Sequence, residues 1–105
     1  MRKLKGVKIM PDFSSSGIWD LKDGVMVEHE ELKLPKKLSK EFEEWINFYD
    51  ESHKRDFSGL KKGKAEKLNT LGRALAKKIK ELYPDLRVVY MGEDEKKVFD
   101  SEIIN

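Results

Sequence analysis

Gly63-Lys64-Ala65-Glu66-Lys67-Leu68-Asn69-Thr70-Leu71-Gly72-Arg73-Ala74-Leu75-Ala76-Lys77-Lys78-Ile79-Lys80-Glu81-Leu82-Tyr83 is the stretch from which the fold is read. Leu68, Leu71, Leu75, Ile79 and Leu82 recur at steps of three and four, with Ala65, Gly72 and Ala76 beside them. That spacing makes one apolar stripe on a helix. Ala, Leu, Lys and Glu, all strong helix formers, fill most of the remaining positions. Pro84 follows and cannot extend the hydrogen-bond ladder, so the helix is expected to stop near Leu82 or Tyr83. A polar helix with one apolar stripe needs a surface to bury it against, and the short apolar segments elsewhere are candidates for that surface.

Upstream, Leu38, Phe42, Trp45, Ile46 and Tyr49 also fall at helix spacing. Ser39 is the expected N-cap of this helix, with Glu41 in its first turn, and its end is placed between Ser52 and Arg55. Gly6 to Met10 reads as a strand and Asp12 to Gly17 as a loop, since Ser, Asp and Gly favour turns. Ile18 to Leu21 and Val25 to Val27 flank Lys22-Asp23-Gly24, a hairpin signal. Glu28 to Lys37 is a polar connection and Asp56 to Gly63 a linker. Leu86 to Met91 is β-branched and aromatic and reads as the best strand, expected beside the first. Val98-Phe99 and Ile103-Ile104 can add a short terminal piece. The expected class is α+β, a small largely antiparallel sheet in the order β-β-β-α-α-β with two helices packed on one face. With 105 residues, a single domain over 1–105 is expected.

Composition narrows the function classes. Hydrophobic residues at 38% and ten aromatics suffice for a core, although 40% of the chain is charged. With no cysteine, disulfides, thiolate metal sites and cysteine nucleophiles are excluded. No apolar run has the length of a membrane span, and the basic start MRKLKGVKIM lacks the apolar core of a signal peptide, so a cytoplasmic protein is expected. The net charge is only +2, but it is segregated. Residues 61–83 carry eight Lys/Arg against two Asp/Glu, a net +6, while 39–60 and 84–105 each carry three against six, a net −3.

Candidate chemistry is sparse. Ser14-Ser15-Ser16-Gly17 can cradle an anion through hydroxyls and N–H groups, but no phosphate-loop pattern accompanies it, and a plain turn is the commoner outcome. His29 within Glu28-His29-Glu30-Glu31, and His53 three residues after Asp50, are the right ligand types for zinc or manganese. Neighbours on a strand end face opposite sides, however, and a charged solvated surface accounts for both. Serine, histidine and aspartate occur in no recognisable catalytic frame. No enzyme activity, metal or cofactor is therefore expected. The basic helix 61–80 offers Lys61, Lys62, Lys64, Lys67, Arg73, Lys77, Lys78 and Lys80 to a phosphate backbone, which gives the alternative of a nucleic-acid-binding or regulatory module. Lysines snorkelling from the core edge are the bland explanation. Glu43, Asn47 and Asp50 share one side of the first helix, with Glu44 and Glu51 adjacent, and Glu93, Asp94 and Glu95 follow the last strand. Such acidic surfaces suit a basic protein partner.

The run Val7-Lys8-Ile9-Met10-Pro11-Asp12-Phe13-Ser14-Ser15-Ser16-Gly17-Ile18-Trp19-Asp20 resembles the start of a family of small bacterial proteins. Leu34-Pro35, the helix with Trp45, Tyr49 and Asp50, the long helix with Gly72 and Leu75, and the Val-rich last strand extend the likeness over most of residues 7–91. Proteins of this kind are similar to immunity proteins of bacterial toxin systems. The resemblance implies a protein that binds a cognate toxin and blocks its active site or an essential surface, with no catalytic residue of its own. Inhibitors of basic toxin nucleases tend to be strongly acidic, and this chain, at +2, departs from that. The resemblance then implies that local acidic patches bind, Glu43, Glu44, Asn47, Asp50 and Glu51 first and Glu93, Asp94 and Glu95 second, or that the toxin is not a basic nuclease.

Overall fold

The structure, a computed structural model, describes residues 3–53, 60–61, 63–93 and 101–105. The elements are β1 (Gly6–Ile9), β2 (Ile18–Asp20), α1 (Lys36–Glu51), α2 (Lys64–Leu82), β3 (Arg87–Met91) and β4 (Ser101–Ile104). They form a four-stranded sheet in the order β2-β1-β3-β4. β1 pairs antiparallel with β2 and parallel with β3, and β3 pairs antiparallel with β4. The α+β class holds, and the last long strand does lie beside the first. A parallel neighbour requires a crossover connection, and the segment bearing both helices supplies it.

The sheet differs from expectation at both edges. Val25 to Val27 is not a strand: the turn forms, with Gly24 at φ 74°, but only Met26 bridges Trp19. Val27 N–H reaches Ile18 O, and the chain then coils through tight turns at Glu28–Lys33 that end the pairing. The Ile103-Ile104 piece instead becomes β4, with Val88 opposite Ile104.

Alternation on the strands sets one face. Val7 and Ile9 of β1, Ile18 of β2, Val88 and Tyr90 of β3 and Ile104 of β4 are buried on the helix side. Against them α1 sets Leu38, Phe42, Trp45, Ile46 and Tyr49, and α2 sets Ala65, Leu68, Gly72, Leu75, Ala76 and Ile79. Burying each large apolar side chain contributes about 1.5–3 kcal/mol. Leu71 and Leu82, counted in the stripe, are 39% and 45% exposed, so the buried arc of α2 is narrower than the sequence suggests.

Gly72 explains how the layers meet. A Cβ there would sit 2.5 Å from Tyr90 Cε1 and 2.6 Å from Trp45 Cζ2. Its absence lets both rings press against α2, where Trp45 Nε1 donates to Leu68 O at 2.9 Å. Pro84 ends α2 as expected, with Tyr83 N–H returning to Ile79 O and Tyr83 hydroxyl donating to Leu32 O. α1 starts three residues before the expected cap. Pro35 holds the N-cap position with φ −55°, and Ser39 N–H already bonds Pro35 O. Glu41 therefore lies beyond the first turn, where it pairs with Lys78 of α2.

Candidate functional site

β1 and β3 run parallel, so the segments that leave them emerge at the same end of the sheet, and α1 also ends there. The Asp12–Gly17 loop follows β1. It is closed by Met10 N–H to Gly17 O at 3.0 Å and braced internally by Phe13 N–H to Asp12 Oδ1 and Ser15 Oγ to Asp12 O. Ser14 takes φ 51° and Gly17 φ 79°. At Gly17 the left-handed φ favours glycine, and a Cβ would press on the Trp45 ring at 3.0 Å. The loop raises Phe13, 42% exposed, over the end of α1. Its ring centroid is 5.0 Å from that of Tyr49 and 4.5 Å from that of His53, whose own rings are 4.3 Å apart.

Carboxylates surround this aromatic cluster. Tyr49 hydroxyl donates to Glu93 Oε1 at 3.0 Å. Burial, then the Glu93, Asp12 and Asp50 charges, drives the Tyr49 hydroxyl far above its ordinary ionisation range. Asp50 accepts a hydrogen bond from the Ser14 backbone, while its Oδ1 is buried with no hydrogen-bond partner among the described residues. Burial pushes the Asp50 carboxyl up, His53 and the Ser14 N–H oppose that shift, and the Asp12 and Glu51 charges reinforce it. Glu93 is fixed through its backbone: Asn69 Oδ1 accepts Glu93 N–H at 3.1 Å and Asn69 Nδ2 donates to Glu93 O at 2.6 Å. Tyr90 hydroxyl completes this hub by donating to Asn69 Oδ1 at 2.7 Å. Gly92 has to be glycine, since a Cβ would lie 2.2 Å from Asn69 Oδ1.

Two of the acidic stretches picked from the sequence thus come together: Asp50 of α1 and Glu93 after β3 meet around Tyr49. Glu43 and Asn47 are exposed on the same side of α1. Glu43 rims a polar depression of about 380 Å³ shared with Ser14, Ser15, Ser16, Glu28 and Glu30. Glu44 borders a different groove of about 240 Å³ between α1 and α2, floored by Trp45, Leu71 and Leu75. Glu51 is exposed at the end of α1, and Asp94 and Glu95 lie outside the described residues. Asp12 and Phe13, which border the cluster, were legible only as loop residues. The available signal was a large aromatic placed in an otherwise polar loop.

The other candidates have structural employment. His29 Nε2 lies 3.0 Å from Ser16 O and Nδ1 2.6 Å from Ser39 Oγ, so the imidazole bolts the serine loop to α1. This also diverts the Ser39 hydroxyl from capping. Ser16 Oγ is used within its own turn, and Glu28, Glu30 and Glu43 around the loop would repel an anion. His53 Nδ1 donates to Tyr49 O at 2.7 Å. Among the described residues no group of three or more His, Asp or Glu is arranged to hold a metal ion.

Much of the basic helix is paired within the chain. Arg73 binds both oxygens of Glu102 through Nε and Nη2, which raises the guanidinium's affinity for its proton. Lys78 pairs with Glu41, and Lys80 Nζ donates to Leu86 O at 2.8 Å. Lys64 and Lys67 stand over the Phe48 ring at 5.8 and 5.0 Å. Lys61 and Lys77 are exposed, and Lys62 lies outside the described residues. No helix among the described residues is long and apolar enough to cross a membrane.

Residues 5–93 match the family model described as Serratia CdiI immunity protein-like. No curated protein matches the chain.

Proposed function

The chain belongs to the Serratia CdiI immunity protein-like family, and from that membership we propose that it binds a cognate bacterial toxin in the cytoplasm and neutralises it by occluding its active site or functional surface. The match over residues 5–93 carries this reading. It spans the Asp12–Gly17 loop, α1 and Glu93, the parts that build the acidic end. Occlusion needs no catalytic group, and none is invoked. The contact surface is assigned to Glu43, Asn47, Asp50 and Glu93, joined by Asp12 and Phe13, with Glu44 and Glu51 at its margin; Asp94 and Glu95, outside the described residues, follow Glu93 in sequence and are included on their charge alone. Phe13 fits the role of an anchor. A half-exposed ring already packed against two others at a tilt loses little freedom on binding, and aromatic anchors ringed by polar contacts dominate many interfaces. The carboxylates favour a basic partner surface and steer its approach.

The test is capture of the partner by the tagged chain from its native lysate, followed by reconstitution with the purified polypeptide. A 1:1 complex in which the polypeptide loses its toxicity is expected. A purified complex that leaves toxicity intact, or the failure to reconstitute any complex, would overturn the reading. Reversing charge at Glu43, Asp50 and Glu51 together should slow association by about tenfold or more and flatten its salt dependence. Unchanged association kinetics would remove these residues from the contact surface.

A further inference from the structure

The opposite end of the β1–β3 pair is basic. Lys3 and Lys5 precede β1, Lys22 follows β2, and Arg87 opens β3. All four are exposed and line one depression of about 250 Å³. Gly6 favours the convergence. A Cβ there would lie 3.0 Å from Leu21 Cδ2 and 3.1 Å from Arg87 O, so the lack of a side chain at Gly6 eases the close approach of the turn after β2 and the start of β3 to β1. Leu21 N–H bonds Gly6 O and Arg87 N–H bonds Lys5 O, which fixes the backbones carrying Lys5, Lys22 and Arg87 relative to one another. Among the described residues Asp20 is the one carboxylate in the lining; it is 7% exposed, and its Oδ1 accepts Lys22 N–H at 2.9 Å. Four cations thus face one largely buried carboxylate.

The contrast with α2 is informative. Arg73 and Lys78 are neutralised by Glu102 and Glu41. Among the described residues, Lys3, Lys5, Lys22 and Arg87 form no ion pair. Like charges gathered with too few counter-charges favour an anion that joins them, and a guanidinium with flanking ammonium groups is the donor set that suits phosphate oxygens. We propose that the depression bounded by Lys5, Lys22 and Arg87 binds a phosphate group, either on a small phosphorylated ligand or in a nucleic-acid backbone. The site is separate from the acidic end and does not depend on the immunity reading. It also relocates phosphate binding away from the basic helix.

The experiment is an NMR titration of the full chain at low ionic strength, with inorganic phosphate and, separately, a short single-stranded oligonucleotide. Saturable shifts of the Lys5, Gly6 and Lys22 amides are expected. The double variant Lys22→Gln/Arg87→Gln, whose positions are exposed and outside the core, should keep the wild-type amide dispersion and lose affinity by about tenfold or more. Saturation by both probes, with the oligonucleotide tighter and steeply salt-dependent, identifies a nucleic-acid backbone as the source. Saturation by phosphate with no gain for the oligonucleotide identifies a small phosphorylated ligand. Absence of saturable shifts with either probe, shifts confined to α2, or equal affinity in the variant would overturn the proposal.

Discussion

Gly72→Ala sets two physical effects against each other. Helix propensity alone favours the substitution, because alanine in a helix interior gains about 1 kcal/mol over glycine. The packing opposes it. The new methyl would lie 2.5 Å from Tyr90 Cε1 and 2.6 Å from Trp45 Cζ2, and those rings are 1% and 2% exposed. An unstrained carbon–carbon contact needs about 3.5–4.0 Å, so α2 or the rings must retreat by roughly 1 Å. Overpacking of this kind costs about 1–3 kcal/mol. Retreat also stretches the Trp45 Nε1 to Leu68 O and Tyr90 hydroxyl to Asn69 bonds, for about another 1 kcal/mol. The net expectation is a loss of about 1–3 kcal/mol, or a fall in Tm of roughly 4–8 °C per kcal/mol. Thermal unfolding followed by circular dichroism measures it. Ala74→Gly, at an exposed position on the same helix, calibrates propensity alone and should cost about 1 kcal/mol. A Gly72→Ala protein as stable as the parent, or more so, would refute the close approach of α2 to Trp45 and Tyr90.

Three further perturbations follow from the same geometry. Leu75→Ala removes a side chain that is 4% exposed and should cost about 2–5 kcal/mol in urea unfolding; a loss below about 0.5 kcal/mol would place Leu75 outside the core. Asp50→Asn should raise Tm at pH 7, because burial already disfavours the Asp50 charge. A carboxyl whose pKa is raised in the fold destabilises above its titration range and ceases to do so below it, so the gain should shrink as pH falls through the carboxylate range. An equal Tm at pH 7 would contradict this, and a gain accompanied by weaker binding of the proposed partner would mark Asp50 as kept for recognition at the expense of stability. Tyr49 and Tyr90, both held protonated mainly by burial, should withhold their ionisation above the ordinary tyrosine range. Their raised folded pKa means stability is intact below about pH 10 and is lost as pH rises further. Tyrosinate absorbance that appears for all three tyrosines before unfolding would refute that.

Local periodicity reached the helices well. α2 was bounded to within one residue by its stripe and by Pro84, signals written in consecutive positions. The start of α1 was misplaced because Ser39 has the chemistry of a cap, yet its hydroxyl faces His29, a residue ten positions earlier that no cap rule considers. The β1–β3 pairing could be expected from their apolar character, whereas β4 is only four residues long and gave a faint signal. The acidic end was half legible. Charge on α1 and after β3 could be read directly, but that Asp50 and Glu93 meet depends on Tyr49 and on the Asn69 hub, contacts spanning 24 to 44 positions. Phe13 was invisible as a site residue because a loop conformation, and not a period, exposes it.

The parallel register between β1 and β3 also bears on how the protein comes into being. Gly6 sits opposite Arg87 and Ile9 opposite Tyr90, so the central pair of the sheet joins segments separated by the whole helical crossover. At ribosomal speeds of about 5–20 residues per second, β1 waits roughly 4–16 s for the strand that completes it. Until then the β1–β2 ribbon has only a short partner, and its apolar face has no finished layer to rest on. Pairings so distant along the chain also slow folding, because loop closure precedes any return from contact. Each newly made molecule therefore passes through an interval in which both helices have been synthesised and the central β1–β3 pair has not yet formed.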